Sequence, residues 1–587
     1  MYQTLLGLVR QGLQKRVPAT GLALFRILFG LVALSEVVFL LYFGHLVFDP
    51  VPFIEVASPM IPFLLLLWGI AAVHLVLGRY TRAAAVVNYL FWVVFIVFTP
   101  MWQDFDGGFD QLMTGTGLLL IVLPTERALS LDRLRLKLKH STTAEHYDPP
   151  LSVSVLCYYL PLAISLGLLY FDSAVHKLYA EFWRNGMGAW LPSSQPYYMS
   201  GIDLAWLLNN ELVQKVIGYS VLVFEFAFIF VLYFRRFRVP LLVFGIAFHL
   251  GIIVSLNIYP FGFGMLIHYL LMVPFSWWRR LGVALALRQS RLTVFYDEQC
   301  PLCNRTVITF QHFDLWRAIE FKGMQTHARR YPELCAISDE RLLQDLYALD
   351  RAGRFYFGLD TYIQILLKMR SAAALGLLLK APGIYQIASR TYRRIADTRL
   401  RLVCDTSCAI PLERPAPEDP FSQWWYQHQA GTLARRAHRI SKFLIVILVL
   451  QLNVTVHYGL LYRLGVTSDS EFGGIVKALS DTTMVFSHVI FGITPHGLYM
   501  HDHFEGYDRI FAITYKGHDG DEKWLPFVNQ QGRLIAPNWG RVQSMWANVA
   551  VTSQIDPERL GKFIKKVTAF WGTKLGIDLS HAQFTIK

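Results

Sequence analysis

Cys300 and Cys303 stand at the end of the string LTVFYDEQCPLC, where an apolar, β-branched run gives way to a short polar turn and then to residues that read as a helix. A thiol at a helix N-terminus faces unpaired backbone N–H groups and the positive end of the helix dipole, which stabilise the thiolate. Cys300 is therefore the expected attacking sulfur. Cys303, one helical turn on, is placed to resolve a mixed disulfide, and the proline between them stiffens the turn. The alternative is a zinc site in which Cys300 and Cys303 join a second close pair, Cys404 and Cys408. Zinc knuckles usually sit on turns between short strands, so the strand-to-helix setting favours redox chemistry.

A second constellation lies in YFDSAVHKLYAEFWRNGMGAWLP, residues 170–192. His176 and Lys177 follow an apolar helix and precede Trp and Gly residues, an arrangement able to build a half-buried basic pocket. Desolvation there favours the neutral amine, which can act as a base. Against this stands a snorkelling lysine in an interfacial aromatic belt. Arg26, Glu36, His74, Glu225, His249 and His268 also fall in apolar runs, where ionisable groups are costly and mark function by default. Glu225 and His249 lie deepest in theirs and join His176 as candidate lining of a substrate or quinone pocket. A single interhelical hydrogen bond would account for most of the others.

The elements that must hold these residues follow from composition. Of 587 residues, 54% are hydrophobic, 14% aromatic and only 17% charged, too apolar for an ordinary soluble protein. The net charge of +13 is read as cytoplasmic-face lysine and arginine, so no nucleic-acid partner is expected; the first partner is the lipid bilayer. Cys157 sits in an apolar run, the other five cysteines fall in one polar segment, and none follows residue 408. The first apolar run lacks a small-residue cleavage site, so no cleavable signal is expected.

A span takes roughly 17 to 25 apolar residues, and eight candidate segments precede residue 280: 20–48, 61–78, 83–99, 111–124, 152–171, 216–234, 239–256 and 258–275. The fourth is short. Arg10, Lys15, Arg16, Arg79, Arg82, the cluster from Arg127 to Lys139, Arg235 to Arg238, and Arg279 with Arg280 fall in alternate connections, with Asp49, Glu55, Asp104, Asp106 and Asp110 between. By the positive-inside tendency the N-terminus and the segment after residue 276 are cytoplasmic.

The expected fold class is thus an α-helical polytopic membrane bundle of about eight spans plus one, with an inserted cytoplasmic α/β domain and a C-terminal extracytoplasmic α+β domain. The expected organisation is a bundle over 1–280, the dithiol domain over 290–410, a Pro-rich linker over 411–440, a ninth span over 441–462 and an outer domain over 463–587. In the tail, GLYMHDHF, DRIFAITYKG and KWLPFVN alternate like strands and DPERLGKFIKKVTAFWG reads as a helix. A partner of that outer domain is expected on the extracytoplasmic side.

FYDEQCPLC, GLDTYIQILLKM and YRRIADTRLRL resemble the DCC family, thioredoxin-like thiol-disulfide oxidoreductases, over roughly residues 291–405. The resemblance implies a thioredoxin-like fold, with Asp297 as the motif aspartate and Cys300 and Cys303 as the exchanging pair. This sequence departs from thioredoxins in having no proline between Pro332 and Pro382, where a proline facing the cysteines would fall. ALFRILFGLVALSE, KLYAEFWRNG and FHLGIIVSLNIYPFGFGML resemble the HTTM family, the horizontally transferred transmembrane domain shared with vitamin K-dependent γ-carboxylase, over roughly residues 15–280. That resemblance implies a base at Lys177 on the outer side and, as cofactor, a quinone or vitamin K-like hydroquinone.

Three functions are open at this point. The first is a thiol-disulfide oxidoreductase of the bacterial inner membrane, exchanging with a cytoplasmic thiol or disulfide partner and coupled to a quinone-like or lipid molecule in the bundle. The second is a carboxylase-like or other quinol-linked modifying enzyme using Lys177. The third is a non-catalytic receptor or scaffold.

Overall fold

A computed structural model describes residues 1–97, 107–196, 198–399, 410–413, 431–461, 471–497, 511–516, 520–535, 549 and 555–587. The chain forms two compact units, one of residues 1–125, 153–274 and 431–587, the other of residues 126–152 and 275–430.

In the first unit all eight apolar runs are helical: Thr20–Phe48, Ile61–Leu77, Thr81–Trp92 continued by a π-helical turn, Gly108–Val122, Leu156–Lys177, Glu211–Val231, Arg238–Ser255 and Tyr259–Tyr269 continued to Met272. Thr20–Phe48, Leu156–Lys177, Glu211–Val231, Arg238–Ser255 and Leu433–Leu461 are long and apolar enough to cross a membrane, with a sixth if Tyr259–Met272 is counted with the helix after it. Three others are shorter apolar helices: Ile61–Leu77, Thr81–Ile96 and Gly108–Val122. The first hairpin packs tightly because Gly30 has no side chain. A Cβ there would stand 2.8 Å from Val76 Cγ2 and 3.2 Å from the Val76 backbone nitrogen, and small residues are what let apolar helices approach without hydrophobic drive.

The C-terminal part departs from the expected separate outer domain. Helix Glu471–Phe491 runs back against Leu433–Leu461: Asn453 Nδ2 donates to the Ser480 carbonyl at 3.2 Å, Ser480 Oγ donates to Asn453 Oδ1 at 2.8 Å, and the Phe443 and Phe491 rings lie 6.4 Å apart. Its far end packs on Gly108–Val122, with Tyr89 OH donating to the Ile490 carbonyl at 2.7 Å. The chain then reverses at Gly492, whose φ of +65° and contact with the Gln111 carbonyl suit glycine alone. An extended strip returns through Ile493, Thr494 and His496, all buried. Such irregular backbone is tolerated in a bundle only where protein encloses it.

The strands Ile513–Lys516, Glu522–Trp524 and Phe584–Ile586 then form a three-stranded antiparallel sheet with the first in the centre, followed in space by helix Pro557–Lys574. This small α+β element, too, packs on the bundle. Lys566 Nζ donates to the carbonyls of Leu46, Val47 and Asp49, the orphan acceptors at the end of Thr20–Phe48. Phe570 stacks on Phe43 and Phe53 at 5.5 and 5.8 Å.

The second unit holds a four-stranded sheet. Strands β1 (Leu292–Tyr296), β2 (Ile319–Gly323), β3 (Tyr347–Asp350) and β4 (Phe355–Phe357) lie in the order β2-β1-β3-β4. β1 pairs in parallel with β2 and antiparallel with β3. Helix Pro301–Phe313 makes the crossover that parallel pairing demands. The period of two in β1 sends Leu292 and Val294 to a core with Cys300, Cys303, Ile365 and Met369, and Phe295 to the opposite core with Met324, Leu334 and Leu342.

Residues 126–152, expected only as a basic connection between membrane helices, belong to this same unit. Ser130 caps helix Leu131–His140 by accepting the Arg133 N–H at 3.0 Å. Leu138 of that helix packs with Ile308 and Leu412. Of the linker expected over 411–440, residues 414–430 lie outside the described residues, as do residues 98–106.

Candidate functional site

Cys300 is the N-cap of helix Pro301–Phe313, and its Sγ accepts the Cys303 N–H at 3.2 Å. The turn before it is tightly held. The Cys300 N–H donates to the Asp297 carbonyl at 3.3 Å. Asp297, almost fully buried, accepts the Gln299 N–H at 3.0 Å and Gln325 Nε2 at 2.6 Å through Oδ1. Asn304 Nδ2 donates to the carbonyls of Glu298 at 2.7 Å and Cys300 at 3.1 Å. Asp297 thus shapes the turn that presents Cys300.

Arg399 reaches the pair from just beyond helix Ile384–Thr398. Its Nη1 lies 3.4 Å from Cys303 Sγ, and Nη2 donates to the Leu343 carbonyl. The helix that carries it is tied down at Asp345, which accepts Tyr392 OH at 2.8 Å and also pairs with Arg393. The Cys303 thiol and N–H and the nearby guanidinium together lower the Cys300 thiol to about 7, against the opposing effects of burial and Asp297. The thiol of Cys303 moves the other way, well above the usual range, because it shares its proton with Cys300 and is buried. The pair is therefore divided into a thiolate-forming Cys300 and a proton-holding Cys303, the asymmetry that exchange chemistry uses. Both sulfurs are covered, Cys300 at 0% and Cys303 at 3% exposure.

The alternative zinc ligands Cys404 and Cys408 lie outside the described residues, among which no cluster of three His, Cys, Asp or Glu side chains is arranged to hold a metal.

The connection 126–152 also reaches this site. His146 Nε2 lies 2.9 Å from Asn304 Oδ1. Lys137 and Arg133 hold Asp148 at 2.8 and 2.7 Å, fixing the limb that carries His146.

In the first unit, Lys177 and Glu225 meet. Lys177 Nζ lies 2.6 and 2.7 Å from the two carboxylate oxygens of Glu225 and 4.4 Å from the centre of the Trp183 ring. His176 turns instead to Asp172, its Nδ1 lying 2.9 Å from the Asp172 carbonyl and 3.4 Å from Oδ2. His249 belongs to a third group: its Nε2 is 3.3 Å from Tyr170 OH, which is 2.6 Å from Tyr269 OH. His268 bonds Thr116 Oγ1 at 2.8 Å.

Asp172 gathers the part that sequence reasoning missed. Its carboxylate accepts Thr455 Oγ1 at 2.5 Å and the His496 N–H at 2.7 Å. His496 Nδ1 lies 3.7 Å from the same carboxylate, and neither ring nitrogen makes a hydrogen bond among the described residues. Asp172, His176, Lys177, Glu225 and His496 are all nearly fully buried. The only signal for His496 is a histidine after Pro495 at the end of a half-apolar helix, which nothing local connects to Asp172.

Residues 14–277 match the HTTM domain, and residues 294–405 match the DCC1-like thiol-disulfide oxidoreductase. The chain therefore contains an HTTM domain over residues 14–277 and a DCC1-like thiol-disulfide oxidoreductase domain over residues 294–405, as the two resemblances implied. No curated protein and no solved structure matches it. The second match takes in Asp297, Cys300, Cys303 and Arg399; the first takes in Lys177 and Glu225 but stops short of Thr455 and His496.

Proposed function

We propose that this membrane protein is a thiol-disulfide oxidoreductase whose dithiol works at the cytoplasmic face of a plasma membrane, that of a bacterial inner membrane. The carrying observation is Cys300 at a helix N-terminus with its thiol lowered to about 7. The Cys300 thiolate attacks one sulfur of a partner disulfide, forming a mixed disulfide and releasing one partner thiolate, which takes up a proton. Cys303 then loses its proton and attacks Cys300, releasing the second partner thiol. The partner gains two electrons and two protons, and the protein keeps a Cys300–Cys303 disulfide. In a reducing compartment the pair rests as the dithiol and is oxidised only in passing.

The sidedness rests on lysine and arginine in alternate connections, and the proposal includes coupling to a quinone-like or lipid molecule in the bundle. Full-length protein equilibrated in detergent with increasing ratios of oxidised to reduced glutathione, then alkylated and analysed by mass spectrometry, should acquire a Cys300–Cys303 disulfide. Free thiols persisting at an oxidising poise would overturn the reading.

One observation supports a second reading, in which the bundle has its own activity on a quinol-like or lipid-linked substrate. Five nearly buried ionisable side chains, Lys177 among them, are far more than helix packing needs. Here Lys177 and Glu225 act as one proton-handling unit, since the amine cannot serve as a base while both carboxylate oxygens hold it. Lys177→Ala should then abolish that activity and leave glutathione-driven disulfide formation intact.

A further inference from the structure

The loop between two membrane helices reaches the dithiol. The connection 126–152 joins helix Gly108–Val122 to helix Leu156–Lys177, yet it folds with the dithiol domain. Three separate attachments hold it there. Leu138 packs with Ile308 and Leu412. The Thr143 N–H donates to the Ile410 carbonyl and the Leu412 N–H to the Ser141 carbonyl, each at 3.3 Å. Helix Leu131–His140 lies along Pro301–Phe313 closely enough that His312 is half-buried, its imidazole pushed down to about 4 by that partial burial and by Lys137 and Arg133.

The fourth attachment concerns the chemistry. Asn304 Nδ2 spends its protons on the carbonyls of Glu298 and Cys300, so the oxygen of the same amide must be the acceptor toward His146. His146 therefore donates from Nε2. Asn304 itself is almost fully buried, so its amide has little water to turn to. The chain of contacts runs from His146 through one rigid amide to the carbonyl of Cys300, at the turn that sets Cys300 Sγ 3.2 Å from the Cys303 N–H. We propose that His146 is a positioning residue of the dithiol, holding through Asn304 the turn that aims the Cys300 sulfur at the helix N-terminus, so that the loop between the two membrane helices is part of the redox site.

The inference rests on the oxidoreductase reading for its purpose, but its test does not need turnover. When His146 is lost, the Asn304 oxygen is left without its donor and the amide is free to turn. Its grip on the Glu298 and Cys300 carbonyls then loosens, and the thiolate loses part of its N–H support. His146 is exposed, so His146→Ala should fold.

The measurement is the rate of Cys300 alkylation by iodoacetamide against pH, in full-length protein in detergent, with sites read by mass spectrometry. His146→Ala should move the profile to higher pH by about half a unit, roughly a twofold slower reaction near pH 7. His146→Gln, whose amide N–H can replace the imidazole donor, should restore it. Asp148→Ala, which frees the limb from Lys137 and Arg133 without touching Asn304, should shift it the same way by less. Profiles for His146→Ala that overlay the parent protein would overturn the proposal, as would a shift that glutamine leaves uncorrected. If the glutathione titration shows no disulfide while the His146 shift is present, the oxidoreductase reading fails and the positioning role stands.

Discussion

Arg399 Nη1 lies 3.4 Å from Cys303 Sγ, ninety-six residues away in sequence. The guanidinium places a positive charge beside whichever sulfur becomes anionic. No proline lies between Pro332 and Pro382 to face the cysteines, and Arg399 meets Cys303 from another part of the domain.

Its removal should show in the pH dependence of the thiol. With Cys300 lowered to about 7, the thiolate is the minor form below that pH and the major form above it, so alkylation should rise through a midpoint there. Arg399→Gln takes away one of the groups favouring the anion and should raise the midpoint by on the order of one unit, slowing the reaction at pH 7 roughly fivefold. Arg399→Lys keeps the charge and should recover most of the rate. A midpoint that stays in place in Arg399→Gln would show that the helix N-terminus suffices.

The Lys177–Glu225 pair should reveal itself by non-additivity. Removing either partner leaves the other charged and buried, at a cost of about 3–5 kcal/mol, whereas replacing both with apolar groups of similar size avoids that penalty. Lys177→Met and Glu225→Leu should each lower the unfolding temperature in detergent more than the double variant does. Additive losses would mean that the two side chains do not share their proton and charge.

Asp172 should govern the order of the returning strip. Asp172→Ala deprives the His496 N–H and Thr455 Oγ1 of their acceptor, and an unsatisfied buried donor costs about 1–3 kcal/mol. Hydrogen exchange should therefore speed up across residues 487–497 while Thr20–Phe48 keeps its protection. Thr455→Val removes one donor along with its need and should do less.

Lys566→Met tests the docking of the C-terminal helix. The ammonium caps three carbonyls at the negative end of Thr20–Phe48, and hydrogen bonds to a charged group are worth about 1.5–3 kcal/mol each at most. Protease cleavage between the small sheet and helix Pro557–Lys574 should accelerate several-fold in the variant.

What the sequence made legible was local. The strand, turn and helix around Cys300 are written in one stretch, and the eight apolar runs announce their helices by composition. The assembly of the sites was not legible, because each depends on residues far apart: Cys303 with Arg399, Asn304 with His146 at a separation of 158, and Asp172 with His496 at 324. Helix Glu471–Phe491 was missed for a related reason. Its Ser480 and Asp481 dilute the apolar signal, and their partners Asn453 and Tyr458 sit on the preceding helix.

The strip that ends at His496 also fixes an order of events during synthesis. Asp172 leaves the ribosome early, with the fifth apolar helix, and the backbone N–H it will hold is not made until most of the protein has followed. The apolar helices that precede residue 280 are therefore made with that carboxylate still waiting, and this contact closes only after residue 496 has been translated. Ribosome-stalled chains lacking residue 496 are in this sense unfinished cores, the species that a quality-control protease in the membrane would meet.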